Sequence, residues 1–198
     1  MAPYFETVKS FSDVPITQDG VDTQAFIEAS DGLITLFDLF GSGVFAFVQI
    51  DLRNNLDGVR RRYQSHPGSS QTLEGLVQSE AHEQQRYAIP CLVRFVRGLA
   101  FTCRALQNMQ EDTKSELHIC FKRSYDEILR HHHTFLIRSL VAVAIRAVPR
   151  RNDFYTRIAQ GGSITKLDAE LTKWLLALDV IVKHLREFLE NGGYGRVI

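Results

Sequence analysis

The stretch VFAFVQIDLRNNLDGVRRRY, from Val44 to Tyr63, decides how this chain is read. At about 100° per residue, Val48, Leu52, Leu56, Val59 and Tyr63 fall within one arc, which predicts an amphipathic helix. Asp51 and Asn55, one turn apart, fall inside the same arc. A carboxylate aimed at apolar neighbours costs several kcal/mol unless something hydrogen-bonds it. Two readings compete: a structural Asp satisfied by a neighbouring helix, or a polar pair kept for a ligand.

Outward from this segment, nearly every periodic stretch is helical. One helix is expected from Asp22 to Phe40, stopped by Gly41-Ser42-Gly43. The Val44 helix ends near His66-Pro67-Gly68. Another runs through Leu73, Leu76 and Val77, and the next starts near Pro90 and continues to Met109. Further helices are expected over Thr113–Leu129, from His131-His132-His133 to Pro149, around Asp153–Tyr155, and from Thr165 to Glu190. The last carries Leu167, Leu171, Trp174, Leu178, Ile181, Leu185 and Phe188 on one stripe, with Gly192-Gly193 as terminator. No run alternates cleanly enough for a strand, so the class is all-α, in one domain.

The remaining bounds exclude several functions. A chain of 198 residues suits one domain or a small pair. Lys plus Arg equals Asp plus Glu, 23 each, so no global field draws nucleic acid or an anionic surface. Three scattered cysteines form no paired metal motif and fit a reducing compartment. The start, Ala-Pro-Tyr-Phe-Glu after Met1, is no signal peptide, and the apolar stretches are too short to span a bilayer. A soluble, cytoplasmic protein is expected, with a monomer as the default state.

Two further helices place polar residues inward. In LVRFVRGLAFTCRAL, the stripe Leu92, Phe95, Val96, Leu99, Cys103 and Leu106 is ordinary core. Arg94 lies on the opposite side with Cys91, Gly98, Phe101 and Ala105, so that side is expected to be covered too. Such an Arg is either paired with a carboxylate such as Asp51 or kept for an anionic or hydroxyl-rich ligand. Arg97 and Arg104 share an edge, as solvent-facing charges do. Three adjacent histidines on a helix point about 100° apart and cannot converge on one metal. Only His133 joins the arc of Ile137, Leu140, Val141, Ala144 and Val148, either as a core histidine or as a site residue. No nucleophile motif or phosphate-cradling loop is present. Inward polar residues among aliphatic and aromatic side chains suggest a ligand with a polar head and apolar tails.

The spacing Asp51-x-x-x-Asn55, the RGL of Arg97-Gly98-Leu99, and HTFLIRSLVAVAIRAVPRRNDF from His133 to Phe154 resemble the glycolipid transfer protein family. The likeness covers nearly the whole chain. PYFETVKSFSDVP near the start, FTC at Phe101–Cys103, and ALDVIVKHLREFLE near the end look closest to its fungal branch. The resemblance implies a two-layer helical sandwich of about eight helices that carries one sphingolipid, of glycosylceramide type, between membranes. It implies transient membrane contact, no chemistry, no cofactor and no metal. By position, Asp51 would accept from the ceramide amide and a head-group hydroxyl, Asn55 would bind the head group, and His133 would donate to the amide carbonyl. Phe135 takes the place of a membrane-touching aromatic, with a buried Phe as the alternative.

Two positions depart from the glycolipid pattern. Gly58 stands where the family has a head-group lysine, and Arg94 where it has a sugar-stacking tryptophan. Arg62, further along the Asp51–Asn55–Gly58 line, could compensate. Arg94 resembles the ceramide-1-phosphate branch, where guanidinium groups grip phosphate; Pro90 and Asn55 do not match that branch. An anionic-sphingolipid carrier is therefore the alternative, followed by a non-transferring lipid sensor or a helical interaction module with a collapsed pocket.

Overall fold

The computed structural model describes residues 2–40 and 43–198, without the side chain of Val44. Among these residues nine α-helices follow one another: α1 Tyr4–Thr7, α2 Thr23–Leu36, α3 Ala46–Ser65, α4 Leu73–Ala81, α5 Ala88–Glu111, α6 Leu117–Ser124, α7 Phe135–Arg146, α8 Arg151–Ala159 and α9 Ile164–Asn191. The all-α class holds, with one addition. Two strands of two residues, β1 Ile16–Thr17 and β2 Gly20–Val21, pair antiparallel ahead of α2. They are too short to show an alternating pattern, which is why the sequence does not reveal them.

Side-chain caps explain several helix starts. Asp22 accepts from the Ala25 amide at the head of α2, and Thr72 from Gly75 at the head of α4. Helix α5 has no cap of its own. The buried Glu80 carboxylate, at the end of α4, accepts from the amides of Tyr87, Ala88 and Ile89 at 3.1, 2.8 and 2.6 Å. A negative charge at a helix N-terminus satisfies its free amides and complements its dipole. This moves the start of α5 ahead of Pro90, to Ala88.

Helix α5 occupies the middle of the fold, packing on α3, α4, α6 and α9. Its stripe Leu92, Phe95, Val96, Leu99, Cys103 and Leu106 is buried as expected. So is the α9 stripe from Leu167 to Leu185, although Leu189 rather than Phe188 completes it. One continuous hydrophobic core joins all these elements, with Trp174 set between Phe5 and Phe11.

Three boundaries differ from the periodicity. Residues Phe37–Phe40 close α2 as a 3-10 turn, while Gly41 and Ser42 of the expected stop lie outside the described residues. Helix α6 starts only at Leu117 and widens at Tyr125–Leu129 into a π-helical segment, a form often found at functional sites. The histidines do not open α7. His131 and His132 belong to a 3-10 turn, and His133 is extended at φ −102°, ψ 138°.

Candidate functional site

Helices α3 and α5 meet along an antiparallel seam made possible by two glycines. A Cβ on Gly98 would stand 2.6 Å from Leu52, and one on Gly58 would stand 2.5 Å from the Cys91 sulfur and 3.1 Å from the Tyr87 ring. Position 52 thus faces 98, and 58 faces 91 and 87. Beside the seam, between α3, α5, α6 and α7, lies a cavity of about 490 Å³. That is within the usual range of ligand pockets. Phe37, Phe45, Phe101, Phe121, Val141 and Ile145 give it an apolar wall. Asp51, Arg94, Arg97, His132 and His133 supply its polar groups.

The structure brings Asp51, Arg94 and His133 to one cavity, though not all as the periodicity suggests. Asp51 is exposed at the rim rather than driven into the core, so the expected desolvation cost is not incurred. Arg94 is also exposed, so the second face of α5 stays open at this point. Among the described residues Arg94 makes neither an ion pair nor a hydrogen bond, and it is not tied to Asp51. Of the two "edge" arginines, Arg104 pairs at the surface with Glu111 and Glu127. Arg97 is half-buried and donates to the carbonyls of Val197 and Arg196 at 2.8 and 2.5 Å, holding the C-terminal tail beside the cavity.

His133 reaches the cavity from the extended link before α7, not from a helical arc. Arg138 pins that link by donating from Nε to the carbonyls of Arg130 and His133. Burial pushes the imidazole pKa down; the Asp51 charge acts upward, and Arg97 and Arg138 downward. The ring is therefore neutral at pH 7. Its Nδ1 lies 3.3 Å from the Tyr125 hydroxyl. With that hydroxyl donating, the ring proton sits on Nε2, which is then the free donor.

Asn55, Gly58 and Arg62 do not line this cavity. Asn55 is 5% exposed and its amide donates to the Asp51 carbonyl at 2.8 Å, one turn back on its own helix. Gly58 and Arg62 line a separate cleft. Arg62 is 8% exposed, paired with Glu83 at 2.7 Å and bonded to Ser79. It is occupied there and does not replace a lysine beside Asp51. Phe135 is 84% exposed, which removes the buried-Phe alternative. Its neighbours Leu136, Leu140 and Val143 on α7 are exposed too.

Sequence reading assigned no role to Tyr125, Arg97 or His132. Arg97 stood inside the RGL motif, the one signal that could have found it. His132 contacts both the cavity and a second, basic cleft of about 450 Å³, lined by Arg94, Arg97, His131, Tyr194 and Arg196. Burial, with Arg97, His131 and Arg196 nearby, holds the His132 pKa down at about 4.

The family model for glycolipid transfer protein matches residues 21–160. A glycolipid transfer protein from Aureobasidium melanogenum is 36% identical over 189 residues, covering 95% of this chain and 93% of that protein. The chain belongs to the glycolipid transfer protein family. Its fold agrees with that of the crystal structure of HET-C2, a fungal glycolipid transfer protein, at a TM-score of 0.89 and 39% identity, over 94% of this chain and 96% of that one. The structure of FAPP2, described as selecting simple glycosphingolipids with the same fold, has a TM-score of 0.89 at 25% identity and covers 99% of this chain and 100% of that one. The two-layer helical sandwich and the likeness to the fungal branch of the glycolipid transfer proteins are thereby established. Among the described residues no helix is long and apolar enough to cross a membrane.

Proposed function

We propose that this chain carries one sphingolipid between membranes, with a glycosylated ceramide as its cargo. The observation that supports this most is the single cavity joining Asp51 and His133 to an aromatic and aliphatic wall. In this reading the Asp51 carboxylate, an acceptor only, takes the ceramide amide N–H and a hydroxyl of the head group. Neutral His133 donates from Nε2 to the amide carbonyl. The chains lie against the apolar wall, which matters because each exposed CH₂ costs about 0.8 kcal/mol. Membership in the glycolipid transfer proteins supports the same reading.

The carrier acts as a monomer of one domain in the cytoplasm, without cofactor or catalysis, and meets the membrane transiently. Exposed Phe135, Leu136, Leu140 and Val143 on α7, beside the cavity's Val141 and Ile145, suit that contact. A collapsed pocket, as an interaction module would have, is at odds with a cavity of about 490 Å³.

One observation favours a second reading, an anionic head group. The basic cleft sharing Arg94, Arg97 and His132 with the cavity has no carboxylate in its lining, and a one-signed cleft concentrates counter-charge. The deciding experiment is mass spectrometry of the co-purifying lipid, followed by vesicle-to-vesicle transfer of labelled glucosylceramide, galactosylceramide and ceramide-1-phosphate. Preferred transfer of the neutral lipids supports the first reading; preferred transfer of ceramide-1-phosphate supports the second. No transfer of any of them would sink both.

A further inference from the structure

Segment 194–198 turns back from α9 onto α5 and is held there at several points. It leaves the helix through Gly193, in the left-handed region at φ 68°, with the Tyr194 amide donating to the Leu189 carbonyl at 2.9 Å. Gly195, at φ 155°, passes so close to Val93 that a Cβ there would stand 2.9 Å from that side chain. Val197 is fully buried in the core. One oxygen of the Glu190 carboxylate accepts from the amides of Val197 and Ile198, at 3.0 and 3.1 Å. The carbonyls of Arg196 and Val197 accept from the Arg97 guanidinium.

Arg97 also belongs to the wall of the cavity that holds Asp51, the one carboxylate in that wall among the described residues. Burial lowers the His133 pKa most, and beyond that Asp51 raises it and Arg97 lowers it, so both charges stand near one ring. The seam fixes their relative level. Position 52 of α3 faces position 98 of α5, so in antiparallel register Asp51 is level with position 99. Arg97 then stands about 3 Å away along α5, and Arg94 about 7.5 Å away. A guanidinium at that level is a natural partner for a free carboxylate. Asp51 nevertheless keeps its carboxylate without an ion pair or hydrogen bond among the described residues, and Arg97 donates to segment 194–198 instead.

We propose that segment 194–198 keeps the ceramide anchor open by occupying Arg97. Docked, the segment draws the guanidinium onto its two carbonyls and leaves Asp51 free to accept the amide N–H. Undocked, it releases Arg97 to pair with Asp51, and that ion pair takes the acceptor away from the lipid. Arg97 is thus a positioning residue, acting on the anchor through the segment it is bonded to. Apparent lipid affinity then scales with the fraction of molecules in which the segment is docked. This rests on the reading of Asp51 as the ceramide anchor.

The test is a double-mutant cycle read as affinity for fluorescent glucosylceramide and fluorescent ceramide-1-phosphate. Val197→Ser puts a hydroxyl into a buried apolar seat and loosens the segment. It is expected to weaken lipid binding about 3–10-fold when Arg97 is present, and by no more than about twofold in an Arg97→Gln background. Glu190→Ala, which removes the acceptor of the Val197 and Ile198 amides, should reproduce both results. Melting temperature and circular dichroism report the structural cost of each substitution, which should be the same in the two backgrounds. Equal losses of affinity in the two backgrounds, or no loss in either, overturn the proposal while the ceramide anchor stands. If the wild type binds neither lipid, the anchor reading falls and the proposal with it.

Discussion

The Tyr125 hydroxyl lies 3.3 Å from Nδ1 of His133, across the gap between the π-helical segment and the extended link before α7. With the hydroxyl as donor, the contact leaves the ring proton on the other nitrogen, Nε2, facing a ligand. Tyr125→Phe removes that constraint without opening a cavity. Lipid affinity should fall about 3–10-fold, the worth of one hydrogen bond, with the melting temperature little changed. Titration with a fluorescent ceramide checks this, and an unchanged affinity would remove Tyr125 from the site.

Asp51 is exposed and, among the described residues, its carboxylate makes no hydrogen bond or ion pair, so Asp51→Val should change stability by no more than about 0.5 kcal/mol. Uptake of ceramide-based lipid should nevertheless be lost. Circular dichroism beside a vesicle transfer assay separates the two effects. Full transfer by this variant would end the assignment of Asp51 as anchor.

Arg94 has no protein partner among the described residues, so its replacement reads out the head group directly. Arg94→Trp restores a flat stacking surface and removes a cation. Transfer of galactosylceramide relative to ceramide-1-phosphate should rise by about tenfold. A constant ratio would show that position 94 does not contact the head group.

Stability should depend on pH through His132, whose Nε2 is buried without a hydrogen-bond partner among the described residues. Its folded pKa of about 4 lies below the ordinary value of 6.5. The neutral ring therefore contributes stability that is fully present above about pH 6.5 and is lost as pH falls towards 4. His133, also pushed down by burial, acts in the same direction. Urea midpoints across pH 4–7 should decline towards acid, less steeply for His132→Gln. Parallel profiles for the two proteins would exclude His132 as the source.

Phe135 touches little of the protein, so Phe135→Ser should leave the melting temperature and the affinity for short-chain soluble lipid unchanged. Association with vesicles should weaken on the order of 10-fold, as expected for one aromatic side chain withdrawn from an interface. Sedimentation with vesicles measures it. Undiminished association would place the membrane contact elsewhere.

The sequence by itself determined the helical class, the α5 core stripe, the long α9 and the family, because these depend on local periodicity and on motifs contiguous in the chain. It also brought forward Asp51, Arg94 and His133, which do share a cavity. Its reasons were only partly right. Asp51 stands on the expected helical face, but that face ends at a rim open to solvent, and periodicity does not say where a partner helix stops. His133 was placed by a helical arc that does not exist, since the 3-10 turn at Arg130–His132 breaks it.

Tertiary structure alone decided the rest. Arg62 lies on the line of Asp51, yet Glu83, twenty-one residues away in the chain, takes its charge. Tyr125, at the head of the π-helical segment, meets His133 across the turn that follows it. Gly58 reads as a missing lysine in the sequence, and in the fold it is the space that Cys91 and Tyr87 fill. Each of these depends on which side chains a neighbouring helix brings within a few ångströms, and that is set by packing between distant segments, not by the order of residues along one of them.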